Sequence, residues 1–315
     1  MTATTRQWYV NPYKFKARHG GRLIIGAPHN NNAVQDEKRF DFLFSERTVT
    51  EQHLTVLSDA ERTLLFREKV LIDWAPDNTR LVDRQLGFFS LLGEDVFTAQ
   101  QRLETARVAI LGAGGLGSQV AFLLASAGVG TLKLCDFDVI ERSNLNRQIL
   151  YRDHDIGRRK IEVAAQTLQA INPDLRVLTS PEYLRDAGDI RRAVQGYDLV
   201  VRAVDQPVGV IFEIDAACRA EGIPHVGGGF LDTLVSAGPY CDASTTPLAQ
   251  TQAGLRDLKI PEYSKGAVFG PLTFWVASYV AGDVVRALSG VTEPLLRGRI
   301  YSLDGVTGKL FVQQV

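Results

Sequence analysis

The feature that most constrains the fold is a glycine-rich turn at residues 112–118, with the sequence GAGGLGS. The sequence predicts an apolar strand, Arg107–Leu111, before this turn and a helix, Gly117–Ala127, after it. Gly128 then stands where a glycine commonly ends a helix. Glycines let a backbone turn tightly beside a phosphate, and the start of a helix offers free N–H groups. A nucleotide-binding strand–turn–helix unit is therefore predicted.

The chain beyond the turn favours a bound nucleotide over a purely structural turn. Asp136 follows Gly117 by 19 residues, at the end of the predicted strand Leu132–Cys135. An acidic side chain in that position can accept hydrogen bonds from ribose hydroxyls. No Lys-Ser or Lys-Thr pair follows the glycines, so the turn is not a P-loop. On these facts alone an NAD or FAD oxidoreductase is the default, and a non-catalytic nucleotide-binding module stays open.

A run of cations further along favours a ligand with more negative charge than a dinucleotide. Arg158, Arg159 and Lys160 are predicted to lie in the first turn of a helix that continues to Ile171. Cations oppose the helix dipole at that end, and a bound polyanion would relieve the conflict. A triphosphate needs several cations and is usually bound with Mg²⁺. A solvated charge cluster without a ligand is the alternative.

A carboxylate suited to that Mg²⁺ follows another predicted strand. Asp205 comes at the end of the apolar segment Asp198–Val204. The carboxyl ends of parallel strands meet at one edge of a sheet, so Asp205 is expected on the same edge as Asp136. The alternative for Asp205 is an ordinary polar residue where a strand ends.

The alternation of short apolar strands with helices predicts an α/β fold. We expect a Rossmann-like, mainly parallel sheet with helices on both faces. Towards the end of the chain, Ala267–Leu288 is predicted as a long apolar helix broken at Pro271. Arg299–Leu303 and Lys309–Val315 are predicted to pair as a terminal hairpin.

The first part of the chain differs in character and is predicted as a small α+β module over residues 1–81. Ser58 and Glu61 have the spacing of a capping box that opens a helix. The predicted strands are Arg22–Gly26, Phe40–Phe44 and Val70–Trp74. Residues 75–84 form the predicted linker to a second domain, residues 82–315. Either the module binds a partner or it only packs on that domain.

Composition excludes several classes of protein. The 315 residues carry 35 basic and 36 acidic side chains, which argues against broad binding to nucleic acid or to anionic membranes. The segment Val108–Leu132 is uncharged and long, but its glycines cluster in a turn pattern, so no membrane span is expected. Cys135, Cys218 and Cys241 form no CxxC pair, which excludes a disulfide framework and argues against a zinc site. Without a secretory signal, the expected location is the cytoplasm.

Four motifs together resemble the ubiquitin-activating-type adenylating enzymes of the ThiF and MoeB family. They are GAGGLGS, DFDVIERSNLNRQ at residues 136–148, GRRK at 157–160 and VRAVD at 201–205. Their order and spacing match over residues 112–205, and the likeness extends over residues 82–315. It implies that ATP binds and that a carboxylate attacks its α-phosphate, giving an acyl-adenylate and pyrophosphate.

The resemblance also assigns roles to individual residues. It implies catalytic roles for Arg147, Lys160 and Asp205, with Asp205 associated with Mg²⁺. Arg84 matches an arginine that reaches the ATP of the partner subunit, which implies a homodimer with composite sites. The residues that the resemblance places around ATP are Gly112, Gly114, Gly115, Leu116, Gly117, Asp136, Asp138, Asn144, Arg147, Gln148, Lys160 and Asp205.

Two departures and the N-terminal module narrow the choice within the family. Many bacterial members hold zinc with two CxxC pairs, and thioester-forming members use a loop cysteine; Cys241 does not stand in a nucleophile motif known to us. The module resembles the winged-helix peptide clamp of enzymes that modify ribosomal peptides, such as the microcin C and pantocin A maturation enzymes. The missing zinc pairs depart from the microcin C enzyme and favour the pantocin A type. Likeness to that type implies activation of a glutamate side chain in a precursor peptide, then ring closure in antibiotic biosynthesis.

Alternatives to a peptide substrate remain open at this point. The carboxylate can instead be the C-terminus of a ubiquitin-like sulfur-carrier protein. The segment from Thr245 to Lys265 is a candidate to cross the active site, with Arg256 and Lys259 available for acidic groups of a substrate. A solvated surface loop is the alternative for this segment.

Overall fold

The chain is described here from a computed structural model. The structure describes residues 6–27, 30–35, 38–93, 95–184, 186–207, 209–255 and 267–315. Two compact units divide the chain, residues 1–99 and residues 100–315. The sequence predicts a different boundary, after residue 81, between a peptide-binding part and an adenylation part of the chain. That functional boundary stays a prediction.

The first unit contains two small antiparallel sheets and several short helices. One sheet has the strand order β5-β1-β6 and the other β2-β3-β4. The strands are β1 (Gln7–Val10), β2 (Lys16–His19), β3 (Arg22–Ala27), β4 (Asn30–Gln35), β5 (Thr48–Thr50) and β6 (Leu71–Ile72). The helices are α1 (Phe42–Ser45), α2 (Glu51–Leu54), α3 (Asp59–Arg67) and α4 (Asp83–Leu92), and α5 (Val96–Thr105) extends across the division at Ala99.

The predicted α+β character of this module is confirmed, but the predicted strand Phe40–Phe44 is wrong. Phe40 ends a 3₁₀ turn and Phe42 begins α1. Phe40 and Leu43 are both buried, at helical spacing, whereas Phe44 is exposed. A short apolar run has no period of its own, so tertiary packing decided its conformation.

The capping box is confirmed at the start of α3. The Ser58 hydroxyl accepts from the Glu61 N–H at 3.4 Å, and the Glu61 carboxylate accepts from the Ser58 N–H at 2.8 Å. This exchange satisfies two N–H groups that a helix start leaves unpaired. The helix then buries Leu65 in the core of the module, together with Leu23 and Ile25 of β3.

The second unit is built on one eight-stranded mixed sheet with the order β14-β13-β12-β11-β10-β7-β8-β9. The five strands from β11 to β9 are parallel, and the remaining three are antiparallel. The strands are β7 (Arg107–Leu111), β8 (Thr131–Cys135), β9 (Arg176–Ser180), β10 (Leu199–Arg202), β11 (His225–Leu231), β12 (Leu234–Ala237), β13 (Arg299–Asp304) and β14 (Leu310–Gln314). The predicted α/β fold is confirmed.

Two groups of helices cover this sheet. Helices α8 (Ala187–Val194) and α9 (Val210–Glu221) pack on each other and on β7, β8 and β10. The other group consists of α6 (Gly115–Ser126), α7 (Lys160–Ile171) and α11 (Gly270–Ser289). A short helix, α10 (Leu248–Thr251), contacts α9. Within the described part of the chain, no helix combines the length and apolarity needed to cross a bilayer.

Pro271 does not break the long C-terminal helix, contrary to the sequence prediction. Helix α11 begins at Gly270, so Pro271 lies in its first turn, where a missing N–H costs no hydrogen bond. The predicted terminal hairpin is confirmed, since β13 and β14 pair antiparallel. Strand β14 is the edge of the large sheet, and all five of its residues are exposed.

A buried chain of charged groups crosses the interior between β10, β11 and α9. The Arg202 Nε donates to His225 Nδ1 at 2.8 Å, and His225 Nε2 lies 2.9 Å from Asp215 Oδ1. Arg219 Nε also donates to Asp215 Oδ1, at 2.9 Å, and the Leu248 N–H donates to Asp215 Oδ2 at 2.9 Å. The network joins β10, β11 and α9 to Leu248, which lies after β12. Each buried charge in it has a partner, which offsets the cost of removing that charge from water.

Acid should weaken the fold through His225. Burial lowers its pKa from 6.5 to about 4. Between these values the unfolded chain binds a proton that the folded chain excludes, so stability is lost as pH falls from 6.5 towards 4. The full loss is about 3 kcal/mol. Urea unfolding between about pH 7 and pH 5 measures the slope.

The matched variants are His225→Gln, which removes the titrating group, and His154→Gln, which removes a side chain that is 79% exposed. We expect His225→Gln to flatten the pH dependence and His154→Gln to leave it unchanged. Equal slopes in all three proteins would contradict the assignment.

Candidate nucleotide-binding site

The glycine turn closes because two glycines touch where side chains would not fit. Gly112 follows β7 with a φ of +99°, a left-handed conformation that glycine adopts without strain. A Cβ on Gly117 would overlap the Gly112 carbonyl oxygen. Gly114 caps helix α6 without a side chain, which leaves the N–H groups of the first turn accessible. The predicted strand–turn–helix unit is therefore present.

Asp136 holds the turn from the neighbouring strand. Its Oδ2 accepts from the Ala113 N–H at 2.7 Å, and its Oδ1 accepts from the Asp138 N–H at 2.8 Å. On the other side, the buried Tyr151 hydroxyl donates to the Ala113 carbonyl at 2.8 Å. Burial raises the pKa of Tyr151 above its usual range, so its hydroxyl stays protonated. A carboxylate fixed in this way keeps lone pairs for ribose hydroxyls.

Asn144, Arg147 and Gln148 lie on the segment that leads from β8 to α7. The Asn144 side chain is buried and accepts from the Glu141 N–H at 3.0 Å. Arg147 Nη1 donates to the Ser143 carbonyl at 2.8 Å, while its Cδ would be 3.4 Å from a Cβ on Gly115. The Arg147 side chain therefore borders the glycine turn.

Gln148 supplies an observation that favours a ligand. It is 3% exposed, and its Oε1 atom has no hydrogen-bond partner within the described part of the chain. Its Nε2 atom would be 3.9 Å from a Cβ on Gly114. A buried polar atom without a partner calls for an explanation, and a polar ligand at the turn would supply one.

Lys160 is buried and paired. Its side chain is 6% exposed, and Nζ lies 2.6 Å from Asp138 Oδ2. The prediction that three cations share the first turn of this helix is wrong in detail. Helix α7 begins at Lys160, after Arg159 as its cap, and Arg158 Nη1 donates to Asp155 Oδ1 at 2.6 Å. Asp155, which lies on the preceding 3₁₀ turn, therefore neutralises Arg158. The sequence alone did not indicate this pairing.

Asp205 lies beyond the end of β10, at the point where the strand order of the sheet reverses. Successive strands run from β7 to β8 on one side and from β10 to β11 on the other. Ligands of open α/β sheets bind at such a point, outside the carboxyl ends of the strands. The turn at Gly112 packs against the Ala203 carbonyl, two residues before Asp205. Asp205 is exposed there.

These residues fit ATP by their chemistry. The accessible N–H groups of α6 and the cations of Arg147 and Lys160 suit phosphates, and Asp136 suits the ribose. Asp205 would be the carboxylate for Mg²⁺, which would neutralise phosphate charge. Arg84 belongs to the other compact unit, where it is exposed on α4. Arg256 and Lys259, the cations predicted to meet a substrate, lie outside the described residues.

Three residues that the sequence did not identify contact the site residues and help to hold them in place: Tyr151, Gln119 and Thr273. Gln119 is fully buried, and its Nε2 donates to the Arg147 carbonyl and to Thr273 Oγ1, both at 2.7 Å. The polarity of Gln119 within the apolar stretch of α6 was the available signal. No local signal marked Thr273, because its partner is distant in sequence.

The three cysteines are free and buried. Cys241 lies with Asp215 and His225 in a group whose ligand atoms are within 4.8 Å of one another. The donor set does not suit a metal ion, because Arg202 donates to His225 and Arg219 donates to Asp215. Burial also raises the pKa of the Cys241 thiol, which opposes the thiolate that a metal requires.

The fold and this site define a nucleotide-binding protein of the Rossmann type. The model of the ThiF family matches residues 82–315. Since that match covers most of the chain, the protein belongs to the ThiF family.

Similar proteins of known sequence include adenylyltransferases. The probable adenylyltransferase/sulfurtransferase MoeZ of Mycobacterium tuberculosis is 34% identical over 215 residues, 66% of this chain and 53% of MoeZ. The chain thus spans about half the length of MoeZ. The sulfur carrier protein ThiS adenylyltransferase of Escherichia coli is 34% identical over 219 residues, 68% of this chain and 84% of that protein.

Two solved structures share the fold over nearly the whole chain. MccB of E. coli, solved with ATP, has a TM-score of 0.83 at 22% identity, covering 98% of this chain and 96% of MccB. PaaA has a TM-score of 0.74 at 25% identity, covering 96% of this chain and 98% of PaaA. The resemblance to the microcin C and pantocin A maturation enzymes, MccB and PaaA, that the sequence predicted is confirmed at the level of the fold.

Gly117→Ala should destabilise the second unit, because the added methyl group overlaps the Gly112 carbonyl. We expect a loss of about 1–3 kcal/mol, the usual cost of overpacking. Gly115→Ala is the matched control, since its Cβ would meet nothing closer than Arg147 Cδ at 3.4 Å. Thermal unfolding of the two variants makes the comparison. Equal losses in the two variants would contradict the overlap with the Gly112 carbonyl as the cause.

Proposed function

We propose that the protein is an ATP-dependent adenylyltransferase that activates a carboxylate with release of pyrophosphate. The observation that carries the proposal is the convergence of the glycine turn, Asp136 and the buried Lys160 at one edge of the sheet. Membership of the ThiF family and the adenylyltransferase names of its relatives support the same reaction.

Catalysis would depend on positioning and on neutralising charge. The substrate carboxylate is itself the nucleophile, so the reaction needs no general base. Arg147 and Lys160 would stabilise the negative charge that develops as pyrophosphate leaves. Asp136 would orient the ribose, and Asp205 would hold the Mg²⁺ that accompanies ATP. Lys160 already has Asp138 as a partner, so binding of ATP would exchange one anion for another at its ammonium group.

A precursor peptide is the substrate we favour. MccB, which shares this fold, has been solved together with the peptide MccA. The first unit also contains a groove of about 750 Å³. Aromatic side chains that include Trp8, Trp74 and Phe97 line it, together with Lys69 and Asp73 of opposite charge. Such a lining suits an extended peptide with apolar and charged side chains. Ring closure after activation of a glutamate side chain belongs to the same proposal.

The C-terminus of a ubiquitin-like sulfur carrier is the second candidate substrate. It is favoured by the relatives, among them the ThiS and molybdopterin-synthase adenylyltransferases of E. coli. The two candidates differ in the acceptor and share the chemistry at ATP, so a single assay with two acceptors separates them.

A homodimer with Arg84 acting in trans completes the proposed site. Arg84 and Phe88 stand one turn apart on α4, and Leu91 follows on the same face. Phe88 is 55% exposed and Leu91 is 40% exposed. A helix face that combines exposed apolar side chains with one cation suits contact with a second copy.

We also propose that the protein acts in the cytoplasm.

Lys160→Ala should keep the fold and lose pyrophosphate exchange about 10²–10³-fold, because one charge-stabilising contact is removed. Exchange is followed by incorporation of labelled pyrophosphate into ATP, and α-labelled ATP distinguishes AMP from ADP among the products. Each reaction contains Mg²⁺ and either a precursor peptide encoded beside the chain or a carrier protein that ends in Gly-Gly. Arg158→Ala is the matched control, since it removes a neighbouring cation that is 43% exposed and is not among the residues placed around ATP. AMP and pyrophosphate are the expected products. Formation of ADP and phosphate alone would refute the proposed reaction.

Mixing two inactive variants tests whether Arg84 acts in trans. In a dimer of one Arg84→Ala and one Lys160→Ala subunit, one site has both residues intact. Random exchange of subunits should restore about one quarter of the wild-type sites. Exchange activity before and after mixing is the measurement. If mixing restores nothing while subunit exchange is verified by mass, Arg84 does not act across the dimer.

A further inference from the structure

Helix α4 is held from its buried side by a short turn of the first unit, residues 11–13. Asp83 at the start of the helix is 1% exposed. Its Oδ2 accepts a hydrogen bond from the Tyr13 hydroxyl, and its Oδ1 accepts from the Asp77 N–H at 2.8 Å. Arg80 Nη1 lies 3.8 Å from Asp83 Oδ1. The first turn of α4 is therefore fixed through one buried carboxylate.

The Tyr13 ring also packs directly on the helix. A Cβ on Gly87 would overlap the Tyr13 ring, so the ring lies against the backbone of α4. Glycine in the interior of a helix weakens it relative to alanine, but here it permits this close approach. Burial and the contact with Asp83 raise the pKa of Tyr13 to about 12, which keeps its hydroxyl protonated as a donor at neutral pH.

A second contact holds the far end of α4. Asn11 is fully buried, and its Nδ2 donates to Ser90 Oγ at 3.4 Å and to the Lys69 carbonyl at 2.9 Å. Its Oδ1 accepts from the Tyr13 N–H at 2.9 Å, so Asn11 and Tyr13, the two residues that contact α4, are also bonded to each other. Two contacts more than one turn apart fix both the position of a helix and its rotation about its axis.

Arg84 takes its placement from this grip. It follows Asp83 directly in α4 and is exposed. Successive residues of a helix are rotated by a fixed angle, so an anchored Asp83 determines where Arg84 points.

We propose that Tyr13 and Asp83 are positioning residues that set where α4 presents Arg84 to the nucleotide. The proposal rests on the proposed role of Arg84 at ATP. Trp74 stacks on Tyr13, with ring centroids 6.5 Å apart and an interplanar angle of 17°, and Trp74 lines the groove of the first unit. The grip therefore connects the groove to the arginine through two aromatic rings.

A double-mutant cycle separates positioning from general stability. Affinity for a fluorescent ATP analogue, mant-ATP, is measured with Mg²⁺ on the full chain for wild type, Tyr13→Phe, Arg84→Ala and the double variant. Arg84→Ala should weaken binding about 10-fold or more, as expected for a lost charged hydrogen bond. Tyr13→Phe should weaken it by a few-fold up to the same factor, and it should add nothing in the Arg84→Ala background.

Further variants keep the test independent of folding. Tyr9→Phe removes a hydroxyl from β1 of the same unit, and it should bind mant-ATP like wild type. Gly87→Ala leaves the Tyr13 hydroxyl intact but displaces its ring, and it should weaken binding as Tyr13→Phe does. Asp83→Asn should behave likewise. Thermal unfolding and the mass of the native assembly confirm that each variant is folded.

The outcomes distinguish this inference from the proposed function. If Arg84→Ala weakens binding while Tyr13→Phe and Gly87→Ala do not, the positioning role is wrong and the function stands. If Tyr13→Phe weakens binding equally with and without Arg84, its effect is structural and the inference is overturned. If Arg84→Ala binds like wild type, both the positioning role and the role of Arg84 fail, whereas wild-type affinity for mant-ATP still reports on the nucleotide site.

Discussion

The close approach of Gly117 to the Gly112 carbonyl is the constraint on which the nucleotide site depends. It brings the first turn of α6 against the end of β7, and no side chain fits between them. In this arrangement the Ala113 N–H donates to the Asp136 carboxylate, and the Ala113 carbonyl accepts from the Tyr151 hydroxyl. The ends of two parallel strands and the segment after them are thus joined at one backbone position, which gives the site its rigidity.

Paired charges are a second theme of the molecule. Lys160 contacts Asp138, and the buried Arg202 contacts His225 rather than an anion. An unpaired charge in the interior would be costly, so each cation has an acceptor supplied by the chain. At Lys160 the ammonium group and the Asp138 carboxylate form a neutral pair. The proposed ATP site would work by exchange of partners rather than by filling an empty positive cavity.

Much of the fold could be predicted because its signals are local. The glycine turn, the capping box at Ser58 and the C-terminal hairpin each follow from a few adjacent residues, and each is present. Two of the failures share a cause. The conformation of Phe40–Phe44 and the neutralisation of Arg158 are decided by packing or by partners that spacing alone does not reveal. For the same reason Tyr151 and Thr273 were missed, because their roles depend on atoms distant in sequence.

The open edge at β14 has a consequence for handling the protein. Leu310, Phe311 and Val312 are each more than two-fifths exposed, and neither a charge nor a proline interrupts the strand. Unpaired backbone groups along such an edge can accept a strand from another molecule. In concentrated samples this strip of main chain therefore offers a place for intermolecular strand pairing, and a lysine introduced within it would oppose sheets joining edge to edge.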